Sequence, residues 1–140
     1  MIILASDHAG FDLKILLMHF FKKNGIEYVD AGALDYDEND DYPDIVKPAV
    51  KQVLADPNNR GIFVCGSGIG MCMSANRHKG IRAVCAYDSK TAKLARKDED
   101  ANVLCLGARR TNKGDAIKII LRFLTSPFEG GRHQRRIDKF

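Results

Sequence analysis

At 140 residues, with 45% hydrophobic and 29% charged residues, the chain has the length for one domain with its own core and the composition of a soluble globular protein. Its net charge of +4 comes without a repeated basic face or aromatic interleaving, which argues against nucleic acid as a partner and for a small phosphorylated ligand. No apolar run approaches the ~20 residues of a membrane span, Met1-Ile2-Ile3-Leu4 lacks a basic leader region, and four cysteines without a C-x-x-C pair fit reduced thiols better than a disulfide or zinc framework, so the expectation is a soluble, cytoplasmic protein.

Ile2 to Ala5 is a short continuous apolar run, the pattern of a strand buried on both faces. Ser6-Asp7-His8-Ala9-Gly10 ends it. Phe11, Ile15, Leu17, Met18 and Phe21 then recur at helical spacing, with Lys22 and Lys23 in the last turn and Gly25 as the stop. Ile26 to Val29 predicts a second strand. The acidic stretch after it, from Asp35 to Asp44, reads most simply as a solvated loop. Asp44 is the expected cap of a helix carrying Ile45, Val46, Ala49, Val50, Val53 and Leu54, with Pro48 near its first turn. Asp56-Pro57-Asn58-Asn59 is a turn.

Ile62 to Val64 is the third strand, and it runs into Cys65-Gly66-Ser67-Gly68-Ile69-Gly70 and a helix. Ala83 to Ala86 predicts a fourth strand, Asp88 the cap of a helix through Leu94 and Ala95, and Val103 to Leu106 a fifth strand leading into Gly107-Ala108-Arg109-Arg110. Ala116, Ile117, Ile120, Leu121 and Leu124 form the last helical stripe, stopped by Pro127, and residues 128–140 are a basic tail. Strands alternating with helices predict one α/β domain over 1–140, a five-stranded parallel sheet between two helical layers. In a flavodoxin-like strand order, 2-1-3-4-5, the first and third strands are neighbours at the switch point, and Asp7-His8 meets Cys65-Gly66-Ser67-Gly68 in one crevice.

Three glycines in five residues let backbone N–H groups converge on a small volume, an anion cradle with the Cys65 thiol at its rim. A cysteine at a strand end is most often a small buried hydrophobe. The glycine loop and the helix start behind it favour thiolate, which can serve as a nucleophile or a general base. Cys72, Cys85 and Cys105 lack such surroundings and read as core. Met71 occupies the position where a dinucleotide fingerprint needs its third glycine and where a cysteine phosphatase needs its arginine, so neither reading fits. No metal-ligand spacing is present, and no metal or cofactor is expected.

Asp7-His8 could simply cap the first helix, or could act in the crevice. Tyr42 and Pro43 could fold over it. The tail could be a disordered basic end, but Phe128-Glu129-Gly130-Gly131-Arg132 looks like a tight turn, and Arg132 and Arg136, four apart, would share one helix face suited to a phosphate.

Taken in order, the blocks Ser6-Asp7-His8-Ala9-Gly10, Asp41-Tyr42-Pro43-Asp44, Cys65 to Gly70, Ala75-Asn76, Gly80-Ile81-Arg82-Ala83, Asp100 to Leu104, Gly107-Ala108-Arg109 and Phe128 to His133 resemble the ribose-5-phosphate isomerase B family, which includes galactose-6-phosphate isomerase subunits. The resemblance covers nearly the whole chain. It implies a Rossmann-like α/β/α fold and a metal-free aldose–ketose isomerase interconverting ribose 5-phosphate and ribulose 5-phosphate in the pentose phosphate pathway. It also implies a homodimer or dimer of dimers with active sites shared between subunits. Cys65 would be the base, working through an enediolate. Ser67 and the amides of Gly66, Ser67, Gly68, Ile69 and Gly70 would hold the oxyanion. Asp7, His8, Tyr42, Arg109, Arg132 and Arg136 would bind the substrate.

The chain departs from the family pattern at Asp98-Glu99, where the pattern has His-Asn and the histidine opens the sugar ring. An aspartate near its ordinary value of about 3.9 is a poor proton donor at neutral pH, although acidic neighbours raise such values. Asp98 is assigned the acid role and Glu99 a place in the substrate site, with His8 or His133 as other candidates for ring opening. Two further readings stay open: an isomerase of a six-carbon sugar phosphate, and a catalytically silent sugar-phosphate binder.

Overall fold

The computed structural model describes residues 1–140. Five parallel strands form one sheet: β1 (Ile2–Ser6), β2 (Tyr28–Asp30), β3 (Arg60–Cys65), β4 (Ala83–Cys85) and β5 (Val103–Gly107). Around it run α1 (Phe11–Lys23), α2 (Tyr42–Leu54), α3 (Ile69–Ala75), α4 (Ser89–Glu99), α5 (Lys113–Thr125) and a short tail helix, α6 (Arg132–Ile137).

The strand order is β2-β1-β3-β5-β4, which corrects the expected 2-1-3-4-5 at one edge. Burial explains the exchange. Every residue of β5 is buried, whereas β4 is three half-buried residues. The apolar five-residue strand takes the interior and the short one the rim, where unpaired backbone groups can meet water. The expected neighbours β1 and β3 are neighbours, paired from Ile2↔Arg60 to Ser6↔Val64.

The exchange decides which face α4 covers. A right-handed crossover that moves one way along the sheet puts its helix on one face, and a crossover that moves back puts it on the other. Chain progress is outward for β3→β4 and inward for β4→β5, so α3 and α4 lie on opposite faces. The core divides accordingly. Leu13, Leu17 and Phe21 of α1, Ala92 and Ala95 of α4, and Ala116, Ile119, Ile120 and Phe123 of α5 pack on Leu4, Ile62, Val64, Leu104 and Leu106. Val46, Ala49, Val50 and Val53 of α2 and Met71 and Ala75 of α3 pack on Ile3, Ala5, Phe63, Cys65 and Cys105. Alternate strand residues face the two layers, as the pleat requires.

Several local expectations change. The inward face of α1 is Leu13, Lys14, Leu17 and Phe21, because fully buried Lys14 is neutralised: its Nζ lies 2.7 Å from both Asp30 carboxylate oxygens. The buried stripe of α5 runs through Ala116, Ile119, Ile120 and Phe123, leaving Leu121 exposed. Helix α2 begins before Asp44, with Asp41 at its N-cap and Pro43 in the first turn, so Pro48 lies inside the helix and removes one ladder N–H. Asp88 caps α4, its Oδ1 accepting from Thr91 N–H at 2.7 Å. Asp7 caps only the short 3-10 turn His8–Gly10 that leads into α1, its Oδ1 accepting from Gly10 N–H at 3.0 Å, and Gly10 stands at the N-cap of α1 itself. The tail is ordered, with α6 packed on α4.

Candidate active site

The carboxyl ends of β1, β3 and β5 open into a cleft of about 370 Å³ lined by Asp7, His8, Ala9, Tyr42, Cys65, Gly66, Ser67, Gly70, Arg109 and Arg110. Two loops far apart in sequence meet there because β1 and β3 are paired, and Asp7 N–H donates to Val64 O at 3.2 Å. Cys65 is the last residue of β3 and is 4% exposed. The chain reverses over it, and Gly68 N–H donates to its Sγ at 3.1 Å. Gly68 has φ +81°, a conformation that side chains resist. A Cβ there would also stand 2.8 Å from Cys85 Sγ and 2.9 Å from the Leu106 carbonyl carbon. The loop is thus pressed onto β4 and β5. At Gly70 the close neighbour is the Tyr42 ring, 2.8 Å from a Cβ built there, so Tyr42 packs over the start of α3 at the cleft wall.

The cradle holds donors. Ser67 Oγ accepts from Ile69 N–H at 3.2 Å, which leaves the hydroxyl proton free to donate into the cleft. The Ser67 carbonyl is held from behind by Tyr87 Oη–H at 2.9 Å. The amides of Gly66, Ser67 and Gly70 have no acceptor in the chain and remain available to an anion. Helix α3 has only seven residues, so these individual amides carry the effect more than a helix dipole does.

Cations line the far wall. The Arg109 guanidinium lies over Gly66, 3.1 Å from a Cβ built there, with Arg110 beside it. His8 accepts a partner the sequence reading missed. Asp40, in the stretch read as solvated, turns inward: its Oδ1 lies 2.6 Å from His8 Nδ1 and accepts from His8 N–H at 3.0 Å. That hydrogen bond raises the imidazole above its ordinary value, with Asp7 adding to the rise and desolvation and Arg109 opposing it. Burial raises the Asp7 carboxyl, against the Gly10 N–H bond and the His8 charge, which lower it. Cys105 is core, as expected. Cys72 and Cys85 are half-buried rather than core, and Cys85 Sγ touches the Ser67 carbonyl at 3.6 Å.

Asp98, Glu99, Arg132 and Arg136 do not line this cleft. The topology explains why. Helix α4 starts at the carboxyl edge of the sheet and runs back for 11 residues, about 16 Å at 1.5 Å per residue, so Asp98 and Glu99 reach the opposite edge. The tail meets them there: Glu129 N–H donates to Lys97 O at 3.0 Å, and His133 Nε2 lies 3.7 Å from Asp98 Oδ1 and 3.8 Å from Glu129 Oε2. One candidate ligand atom from each of these three side chains lies within 4.8 Å of the other two. Lys97 Nζ at 3.1 Å from Glu129 and Arg132 Nε at 3.5 Å from His133 Nε2 already supply positive charge there. A cavity of about 590 Å³, larger than the cleft, lies beside edge strand β4 and holds Asp98, Glu99, Leu94 and Phe140 but no cysteine, serine or histidine.

Residues 2–140 match the Ribose/Galactose Isomerase family. The chain belongs to that family. Among ribose/galactose isomerases it is 46% identical to a probable ribose-5-phosphate isomerase B of Mycoplasma pneumoniae over 138 residues, 99% of this chain and 91% of the relative. It is 40% identical to ribose-5-phosphate isomerase B of Mycobacterium tuberculosis over 136 residues, 96% of this chain and 84% of the relative. Ribose-5-phosphate isomerase B of Mycoplasma genitalium, solved with bound ribulose-5-phosphate, superposes with a TM-score of 0.94 at 45% identity, covering 99% of this chain and 91% of that one. Within this isomerase fold no helix is long and apolar enough to cross a membrane.

Proposed function

We propose that the chain interconverts ribose 5-phosphate and ribulose 5-phosphate in the carboxyl-edge cleft, with Cys65 as the base. The observation that carries this reading is that Cys65 lines the cleft together with Gly66, Ser67 and Gly70, whose amides are unpaired, while the Gly68 and Ile69 amides are taken up by Cys65 Sγ and Ser67 Oγ. The proton on C2 passes to the sulfur and returns to C1 while the carbonyl moves from C1 to C2, and a second proton passes between the two oxygens. Negative charge builds on those oxygens in the enediolate, where preorganised donors are worth several kcal/mol each. His8, Arg109 and Arg110 form the cationic wall for the phosphate. A relative of the same fold holds ribulose-5-phosphate, which supports a five-carbon substrate over a six-carbon one.

The site is completed by a second copy of the chain in a homodimer. Asp98, Glu99, Arg132 and Arg136 sit a helix length from Cys65 in their own subunit, so any contact with the substrate comes from a partner. Ile69, Met73, Tyr87 and Leu94 expose large apolar side chains on α3, after β4 and on α4, a surface suited to such an interface. The partner's Asp98 then stands for the ring-opening acid and the partner's Arg132 and Arg136 add phosphate contacts. Turnover measured on ribose 5-phosphate, allose 6-phosphate and galactose 6-phosphate tests the reading. The five-carbon substrate is expected to turn over fastest. Preference for a hexose phosphate would overturn the substrate, and binding without turnover of any would overturn the activity.

A further inference from the structure

We propose that Asp40 is a positioning residue of the cleft: it holds the His8 ring with Nδ1–H inward and Nε2–H toward the substrate space, as a fixed cationic donor to the phosphate. Two bonds from one carboxylate oxygen determine the pose, 2.6 Å to the His8 ring and 3.0 Å to the His8 backbone amide. A carboxylate only accepts, so it fixes a proton on Nδ1, and Nε2 is then an acceptor in the neutral ring and a donor once the ring is charged. The Asp40 side chain is 13% exposed, and its second oxygen, Oδ2, is buried with no partner. Its bonds in the chain are therefore both to His8, and a carboxylate this buried requires a compensating charge close by. The imidazolium is that charge.

The other charged or titratable groups around the ring come from every side. Asp7 precedes it, Tyr42 stands at the start of α2, Cys65 ends β3, and Arg109 and Arg110 follow β5. Arg109 favours the neutral ring, while Asp7 and Asp40 favour the charged one. Asp40 tips this balance, so that the ring stays charged to higher pH than an isolated imidazole and titrates as pH rises through its folded value. The acidic loop, from 31 to 41, thereby acquires a function: it delivers a counter-charge to a cleft that must hold a dianion.

The inference rests on a phosphorylated ligand occupying the cleft, so its test uses inorganic phosphate and the histidine itself, without turnover. Nitrogen NMR of the His8 ring is expected to show protonation at Nδ1 and a titration above the ordinary value near 6.5. In Asp40→Asn, whose side-chain oxygen can keep both bonds without the charge, the titration is expected to move down. Phosphate affinity above neutral pH is then expected to fall about tenfold, as for loss of one charged hydrogen-bond donor. With ribose 5-phosphate the same variant raises KM on the basic limb and leaves kcat within a few-fold. Asp40→Glu recovers part of the affinity. A wild-type His8 titrating at or below the ordinary value, or an Asp40→Asn protein with an unchanged phosphate pH profile, would overturn the proposal. Tight phosphate binding governed by Asp40 in a protein that turns over no sugar would leave it standing and overturn the isomerase reading instead.

Discussion

The cleft around Cys65 and the cluster around His133 are both gatherings of charged side chains, yet they are built in opposite ways. The cleft is assembled from the ends of three adjacent strands, and its contacts are short: 2.6 Å for the His8 ring on Asp40, 3.0 Å for the His8 amide on Asp40, 3.1 Å for the amide on Cys65. The tail cluster joins the last turn of α4 to a six-residue helix through His133 pairs at 3.7 and 3.8 Å and a Lys97–Glu129 pair at 3.1 Å, exposed on both sides. A sheet edge fixes a reacting group; a surface helix presents groups to something outside the chain. On the proposed function, the chemistry belongs to the first region and the second completes another subunit's site.

Cys65→Ala breaks the first region at its centre and carries the largest expected effect. A general base contributes about 10²–10⁴-fold, so kcat should fall by that order while circular dichroism stays native. The next largest effect is on stability. Asp30→Ala leaves the buried Lys14 charge without its carboxylate, which costs roughly 3–5 kcal/mol, read as a lower urea midpoint. It also loosens the chain at Gly32, since Asp30 Oδ1 accepts from Gly32 N–H at 3.1 Å.

Arg136→Ala probes the tail. Loss of one charged hydrogen bond to phosphate, about 1.5–3 kcal/mol, should raise KM by roughly one to two orders of magnitude and leave the unfolding midpoint unchanged. Glu129→Gln is the smallest change: its pair with Lys97 is exposed on both sides, so stability should move by less than about 1 kcal/mol and lose even that at high salt.

Much of this was legible in the sequence. Apolar runs and helical spacing located the five strands and five main helices, and the strand-then-glycine pattern placed Cys65 under its loop. The strand order was less legible, because the difference between β4 and β5 lies in burial at an edge, which a three-residue run such as Ala83–Cys85 scarcely encodes. Lys14 was hidden for a related reason. A lysine in a helical stripe reads as the solvent side unless its carboxylate partner, sixteen residues on, is known to reach it. Asp40 was lost among five other acidic residues between 35 and 44; only the fold shows which one turns inward. Asp98 illustrates the opposite case. Its position in the chain suggested a place in the site, and the direction of α4 puts it beyond reach of its own Cys65.

The central claim, a Cys65 cleft completed by a second copy, is tested most directly by mixing subunits. Cys65→Ala and Arg132→Ala proteins, each nearly inactive alone, are unfolded together, refolded and assayed with ribose 5-phosphate. In a two-fold dimer with shared sites, half of each mixed dimer is intact, so about a quarter of wild-type activity should return. If mixed dimers form and no activity returns, each site lies within one chain and the account is wrong.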